Sequence, residues 1–194
     1  MNPIFSPDAS RHCAIRPATV ADAEALIHIY APYVRNTAIT YEYEVPSPAE
    51  FARRIETYSR KYPYLLAEVD GIAVGYAYAS PLGSRPAFDW SVETAIYIRE
   101  ERRGQGIGQA LYTELERRLT AQGIRTMTAA VATVAHEDPY LTNASLHFHL
   151  RMGFTPVGTF HNCGCKFGRW YDLTWLEKPI GDYIPHPPVV LPPT

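Results

Sequence analysis

Apolar residues recur along this chain at two periods, about 3.6 and 2, and each change of period marks an element. Ala23, Leu26, Ile27 and Tyr30 stand at helical spacing behind Thr19 and Asp22, either of which can cap a helix, and Ile15-Arg16-Pro17 before them reads as a strand end. A second helix is predicted from Ser47, a side-chain cap, with Pro48 at the first helical position and Phe51, Ile55 and Tyr58 following. The stretch between these helices, 37–45, is aromatic and β-branched. Two apolar runs, 64–69 and 72–79, flank Asp70-Gly71, which predicts an antiparallel hairpin with both strands buried. After a Gly/Ser/Pro loop over 81–86, residues 92–98 read as a strand. Residues 105–122 form the strongest helix, with Ile107, Ala110, Leu111, Leu115 and Leu119 on one face and Gly123 closing it. A strand over 126–134, a short helix over 143–152 and two last strands over 155–160 and 167–176 complete the pattern. Strands and helices in this order predict a single-domain α/β (α+β) fold, a mixed sheet with helices on its faces.

Composition narrows the classes of function. Hydrophobic residues make up 46% and charged residues 20% of 194, which is enough to bury one core. Eighteen Lys and Arg against 20 Asp and Glu leave a net charge of -2, so no basic field draws nucleic acid, and nucleic-acid partners are not expected. No apolar run approaches the roughly 18 residues of a membrane span, and MNPIFSPDASRHCAIRPA has no signal-peptide pattern. Three cysteines, Cys13, Cys163 and Cys165, are too few for a disulfide framework. A cytoplasmic protein without membrane partners is expected. Residues 1–13 read as an irregular lead-in, 14–178 as the domain and 179–194 as a proline-dense, extended tail packed on the surface or loosely ordered.

The segment Arg102-Arg103-Gly104-Gln105-Gly106-Ile107-Gly108 lies between a strand and the long helix. Glycines there let a ligand approach the backbone, and the free N–H groups and positive dipole of the helix start favour phosphate oxygens. A P-loop would continue with Lys-Ser/Thr, but Gln109-Ala110 follow, and the glycine spacing departs from the dinucleotide fingerprint. His147, His149, His161, Cys163 and Cys165 contain soft ligand types, but His147 and His149 fall on different helix faces and C-x-C is not a zinc-knuckle spacing, so no metal is expected.

Arg103-x-x-Gly106-x-Gly108 matches R-x-x-G-x-G/A, and Asn143-Ala144-Ser145-Leu146 with Met152-Gly153-Phe154 resembles a second helix that contacts coenzyme A. With Val92-Glu93 ahead of Ile96-Tyr97-Ile98, His149, and the run Lys166-Phe167-Gly168-Arg169-Trp170-Tyr171-Asp172-Leu173, residues 14–178 resemble the GCN5-related N-acetyltransferases (GNAT). Within them they are similar to the phosphinothricin and methionine sulfoximine acetyltransferase family. The resemblance implies a mostly antiparallel sheet, acetyl-CoA as donor, direct transfer to the primary amine of a small amino-acid-like substrate, and a homodimer. It also implies that backbone groups of Ile96, Tyr97 and Ile98 meet the pantetheine arm, that Arg103, Gly104, Gln105, Gly106, Ile107, Gly108 and Gln109 hold the pyrophosphate, and that Asn143 and Ser145 approach the arm. The loop over 136–142 and the tail depart from the family pattern.

Acetyl transfer to an amine needs a base for the ammonium, a donor for the oxyanion and a proton for the leaving thiolate. Glu93, at the start of the cleft strand, fits the base, and a backbone N–H of that strand fits the oxyanion donor. By resemblance His149 is the acid; an imidazolium with pKa about 6.5 protonates a thiolate of about 8.5 downhill. The structural alternatives are an ion pair for Glu93 and simple packing for His149. Arg85, Phe88, Trp90, Lys166 and Trp170, with Arg169, offer cationic and aromatic groups suited to a carboxylated substrate, although Arg169 and Trp170 equally suit a dimer interface. Tyr41 and Tyr43 are candidates to cover the cleft. Acetylation of protein or peptide amines, or cofactor binding without catalysis, are the competing functions.

Overall fold

The computed structural model describes residues 13–193, so the lead-in over 1–12 lies outside the described residues, and Cys13 opens the first strand. The elements are β1 (Cys13–Pro17), α1 (Ala23–Asn36), α2 (Pro48–Ser59), β2 (Tyr64–Val69), β3 (Ile72–Pro81), β4 (Ser91–Ile98), α3 (Ile107–Gln122), β5 (Thr126–Thr133), α4 (Ala144–Arg151), β6 (Thr155–Lys166) and β7 (Arg169–Pro179). Local chemistry sets their starts. The Asp22 carboxylate accepts the Thr19 N–H at 2.7 Å, closing a single helical turn ahead of α1, and pairs with Arg16, whose fork also reaches Glu68 on β2. Ser47 Oγ accepts the Glu50 N–H at the start of α2. Asp70 and Gly71 both take positive φ, 53° and 74°, as a two-residue hairpin turn requires.

Seven strands form one sheet in the order β1-β2-β3-β4-β5-β7-β6, antiparallel throughout except where β4 runs parallel to β5. The alternation of strand side chains feeds two layers. Leu66, Tyr64 and Tyr76 pack under Leu26, Ile29, Phe51 and Ile55 of α1 and α2, while Leu65, Val74, Val92 and Met127 pack under Leu111, Leu115 and Leu119 of α3. Covered on both faces, β2 and β3 are almost wholly buried, as their continuous apolar runs predict.

Three departures from the sequence reading have physical causes. The helix expected from Gln105 begins at Ile107, because Gly104 and Gly106 hold left-handed φ of 74° and 81° that no helix continues. Ala110 is exposed; Tyr112 takes its place on the buried face of α3. The last two strands are longer than predicted and make one hairpin, turning at Phe167-Gly168 with φ of 53° and 70°. His161-Asn162-Cys163-Gly164 falls between the two predicted strands, yet it continues β6 through a register shift between Phe160 and Gly164. There the Asp172 carboxylate accepts the Asn162 N–H at 2.8 Å and meets His161 Nδ1 at 3.0 Å, steadying the bulge.

Beyond β7 the chain packs back onto the start of β4 and the end of α3. Trp90 Nε1 donates to the Pro188 carbonyl, Leu191 N–H to Gln122 and Gln122 Nε2 to Leu191, and Ile180 and Val190 lean on the core. The long loop before α4 is pinned by Asp138, which accepts N–H groups of Tyr140 and Leu141 and side-chain donors of Arg169 and Tyr171. No helix among the described residues is long and apolar enough to cross a membrane.

Candidate active site

The parallel junction of the sheet is short. β4 and β5 pair only at Ser91–Thr126, Val92–Met127 and Glu93–Thr128, and then part, β4 staying with β3 up to Ile98 and β5 with β7 up to Thr133. Two threonines hold the last rung: Thr94 Oγ1 donates to the Thr128 carbonyl at 2.8 Å, and Thr128 Oγ1 to the Val92 carbonyl at 3.0 Å. Past that point the backbone edge of β4 faces an open gap, a row of donors and acceptors of the kind an extended amide chain can pair with. At its far end Tyr33 of α1 already serves Ile98, donating to its carbonyl and accepting its N–H.

The strand leads into the glycine turn. Gly106 caps α3, and the first intrahelical bond runs from Ala110 N–H to the Gly106 carbonyl, so the N–H groups of Ile107, Gly108 and Gln109 point out of the helix end. A Cβ at Gly104 or Gly106 would meet nothing within 4 Å, so a ligand has room at the turn. Gly108 also serves packing: a Cβ there would lie 3.2 Å from the Phe148 ring of α4. Arg103 holds its guanidinium 5.0 Å from the Tyr33 ring centroid. An anion-binding helix start beside an open strand edge fits a long phosphorylated ligand with an amide-bearing arm.

Glu93 and His149 come from opposite sides of the sheet. Glu93 shares a face with Ser80 and Tyr97, toward α1 and α2; it is half-buried, and burial raises its carboxyl above the ordinary range. His149 lies on the α3 side and is 3% exposed, ringed by Tyr112, Phe148 and Phe154. Its Nδ1 meets the Ser145 carbonyl at 2.8 Å and its Nε2 the Tyr112 hydroxyl at 2.9 Å, and burial lowers its pKa.

Residues 15–175 match the family described as "Acetyltransferase (GNAT) domain". The chain belongs to the GNAT acetyltransferases. Among curated GNAT relatives, the phosphinothricin N-acetyltransferase of Streptomyces viridochromogenes is 34% identical over 95% of this chain and 95% of its own. The L-methionine sulfoximine/L-methionine sulfone acetyltransferase of Pseudomonas aeruginosa is 34% identical over 84% and 92%. A crystal structure of a phosphinothricin acetyltransferase from Sinorhizobium meliloti in complex with AcCoA superposes with a TM-score of 0.79 at 39% identity, over 87% of this chain and 89% of that one.

On this GNAT frame the other site candidates separate. Ile96, Tyr97, Ile98 and the segment 103–109 border the gap and the helix start together. Asn143, by contrast, uses both side-chain atoms on Val134, accepting its N–H and donating to its carbonyl, and so ties the end of β5 to the start of α4. Ser145 contributes its carbonyl to His149. Of the substrate candidates, Arg85 and Phe88 remain exposed on the loop after β3. Trp90 is bonded to the tail, and Trp170 is 64% exposed on the hairpin. Lys166 is 3% exposed and donates to the carbonyls of Thr37 and Thr40 at 2.8 Å each, which gives it a structural task between hairpin and α1–α2 loop rather than an open carboxylate site. Tyr41 and Tyr43 are fixed in the same way, their hydroxyls donating to the Asp172 and Cys165 carbonyls. No group of three or more His, Cys, Asp or Glu among the described residues is placed to hold a metal ion, and His161 faces Asp172.

Sequence reasoning missed Tyr33, Tyr112 and Thr94. Each reads as core by its apolar neighbours, and the one available signal is that a buried tyrosine hydroxyl must find a partner.

Proposed function

We propose that this GNAT protein transfers acetyl from acetyl-CoA directly to the primary amine of a small amino-acid-like compound of the phosphinothricin or methionine sulfoximine type. The observation that carries the reading is the parting of β4 from β5 with a half-buried carboxyl, Glu93, at the fork and an anion-binding helix start beyond it. The named activities of the relatives and the AcCoA complex of the structural neighbour support it. In this reading the N–H groups of Gly106 to Gln109, with Arg103, hold the pyrophosphate. The pantetheine arm runs along Ile96 to Ile98, with Asn143 and Ser145 bordering it.

Glu93 takes a proton from the ammonium, and its raised pKa brings it nearer the working pH of a base. The C–N bond then forms, the nitrogen sheds its second proton, the C–S bond breaks, and the sulfur receives a proton from the His149 side. One proton is released per acetyl transferred. Arg85 and Phe88, exposed beside the Glu93 strand, suit the carboxylate and apolar body of the acceptor; Trp90, Lys166 and Trp170 act from the supporting structure. We assign the protein to the cytoplasm as a homodimer, and the edge strand β6, with Val157 and Phe160 56% and 62% exposed, supplies an apolar surface for the partner copy.

The test is CoA-thiol release across phosphinothricin, methionine sulfoximine, methionine sulfone, ordinary amino acids, polyamines and peptides. Turnover concentrated on the amino-acid analogues is expected. Turnover on peptides would redirect the substrate, and acetyl-CoA binding with no release for any amine would leave a binding protein.

A further inference from the structure

A buried polar chain runs from α4 through α3 to the fork of the sheet. The Ser145 carbonyl meets His149 Nδ1 at 2.8 Å and His149 Nε2 meets the Tyr112 hydroxyl at 2.9 Å. That hydroxyl lies 3.3 Å from Thr94 Oγ1, which lies 2.8 Å from the Thr128 carbonyl. His149, Tyr112 and Thr94 are 3%, 1% and 4% exposed, so the links are made within the protein.

Both ends of the chain are carbonyls, which only accept. Nδ1 therefore carries the proton of the neutral imidazole, and the Thr94 hydroxyl points at Thr128. Only the Tyr112 proton is left for the two middle links, to Nε2 and to Thr94. Four links share three protons, and one link is always empty. A fourth proton, on Nε2, fills all four: Nε2–H donates to the Tyr112 oxygen, and Tyr112 O–H turns to Thr94.

We propose that Tyr112 and Thr94 are positioning residues that make His149 a one-proton store for acetyl transfer, filled by rotation of the Tyr112 hydroxyl toward Thr94 and emptied by its return. The proposal rests on the reading that the proton delivered to the departing sulfur comes from His149. Filling makes one N–H bond at Nε2 with the second proton of the acceptor nitrogen, whose N–H bond breaks. Emptying breaks the Nε2–H bond, the proton ends as the S–H of free CoA, and the proton taken by Glu93 is the one released. Burial disfavours the imidazolium, and the completed link to Tyr112 works against that cost. The titratable group in contact with His149 is Tyr112 from α3; Glu93 of β4 lies across the sheet, and its charge adds to burial in keeping the Tyr112 phenol protonated. Phe148 and Phe154 set their rings edge-on against the imidazole.

Long-range proton–nitrogen NMR on the histidine rings between pH 5 and 9 reads both tautomer and titration midpoint. The neutral ring of His149 should carry its proton on Nδ1. Tyr112→Phe and Thr94→Val should each lower its midpoint by about one unit, and Thr94→Ser, which restores the acceptor, should return it to the original value. A neutral ring protonated on Nε2, or midpoints unmoved in both variants, would overturn the store. His149→Phe separates the two readings: full turnover in that variant removes His149 from the reaction while the NMR result stands on its own.

Discussion

Replacing Lys166 by methionine tests how the β6–β7 hairpin supports the acceptor side. Its ammonium makes two bonds of 2.8 Å to the Thr37 and Thr40 carbonyls, each a hydrogen bond to a charged group worth about 1.5–3 kcal/mol. Methionine removes both and leaves two carbonyls without that donor, a gross loss of about 3–6 kcal/mol, but it also removes the cost of burying a charge, several kcal/mol in its own right. The balance is a destabilisation of about 2 kcal/mol, or a fall in Tm of about 4–8 °C for a domain of this size. Urea and thermal unfolding followed by circular dichroism measure it. The same loop carries Tyr41 and Tyr43, so the KM for the amine should rise more than the KM for acetyl-CoA. A variant as stable as the parent with both constants unmoved would refute the tie.

Three further outcomes follow from the geometry. Gly106→Ala forces a left-handed φ of 81° on a residue with a side chain, costing about 1 kcal/mol, and should raise the KM for acetyl-CoA while leaving that for the amine in place, as steady-state kinetics will show. Deleting residues 180–194 removes the Trp90, Gln122 and Arg125 bonds and the cover of Ile180 and Val190, and should lower stability by about 3 kcal/mol in urea titrations. Glu93→Gln should be more stable than the parent at pH 7. The raised pKa means that the folded state holds a proton the unfolded chain has already lost, so the parent loses stability as pH rises through that window. Urea midpoints of the two proteins should converge below about pH 4.

Much of this was legible because local and global signals agree. Asp70-Gly71 between two apolar runs can make little other than a hairpin, and Ser47-Pro48 starts a helix for two independent reasons. The glycine turn was legible as an anion site from its place between strand and helix; that the missing side chain at Gly108 also makes room for the Phe148 ring was not. What escaped is long-range. Nothing near His161 to Cys165 in sequence announces a strand, since its support comes from Asp172 across the hairpin and from Tyr41 lying on Gly164. Lys166 and Trp90 carry the right chemistry for a carboxylate and an apolar wall, yet their partners, Thr37, Thr40 and Pro188, lie roughly a hundred or more residues away and claim them first. Thr94 and Tyr112 look like core and become polar chain members only when α3 and α4 meet over the fork.

The pH dependence of kcat/KM for methionine sulfoximine, compared between the parent and Glu93→Gln, tests the central claim most directly. The parent should lose activity as pH falls through the raised Glu93 pKa. The variant should be slower by about 10²–10⁴-fold near pH 7, with the deficit shrinking toward pH 10 as the amine arrives already deprotonated. Two profiles that run parallel across the range, whatever their separation, would contradict Glu93 as the base.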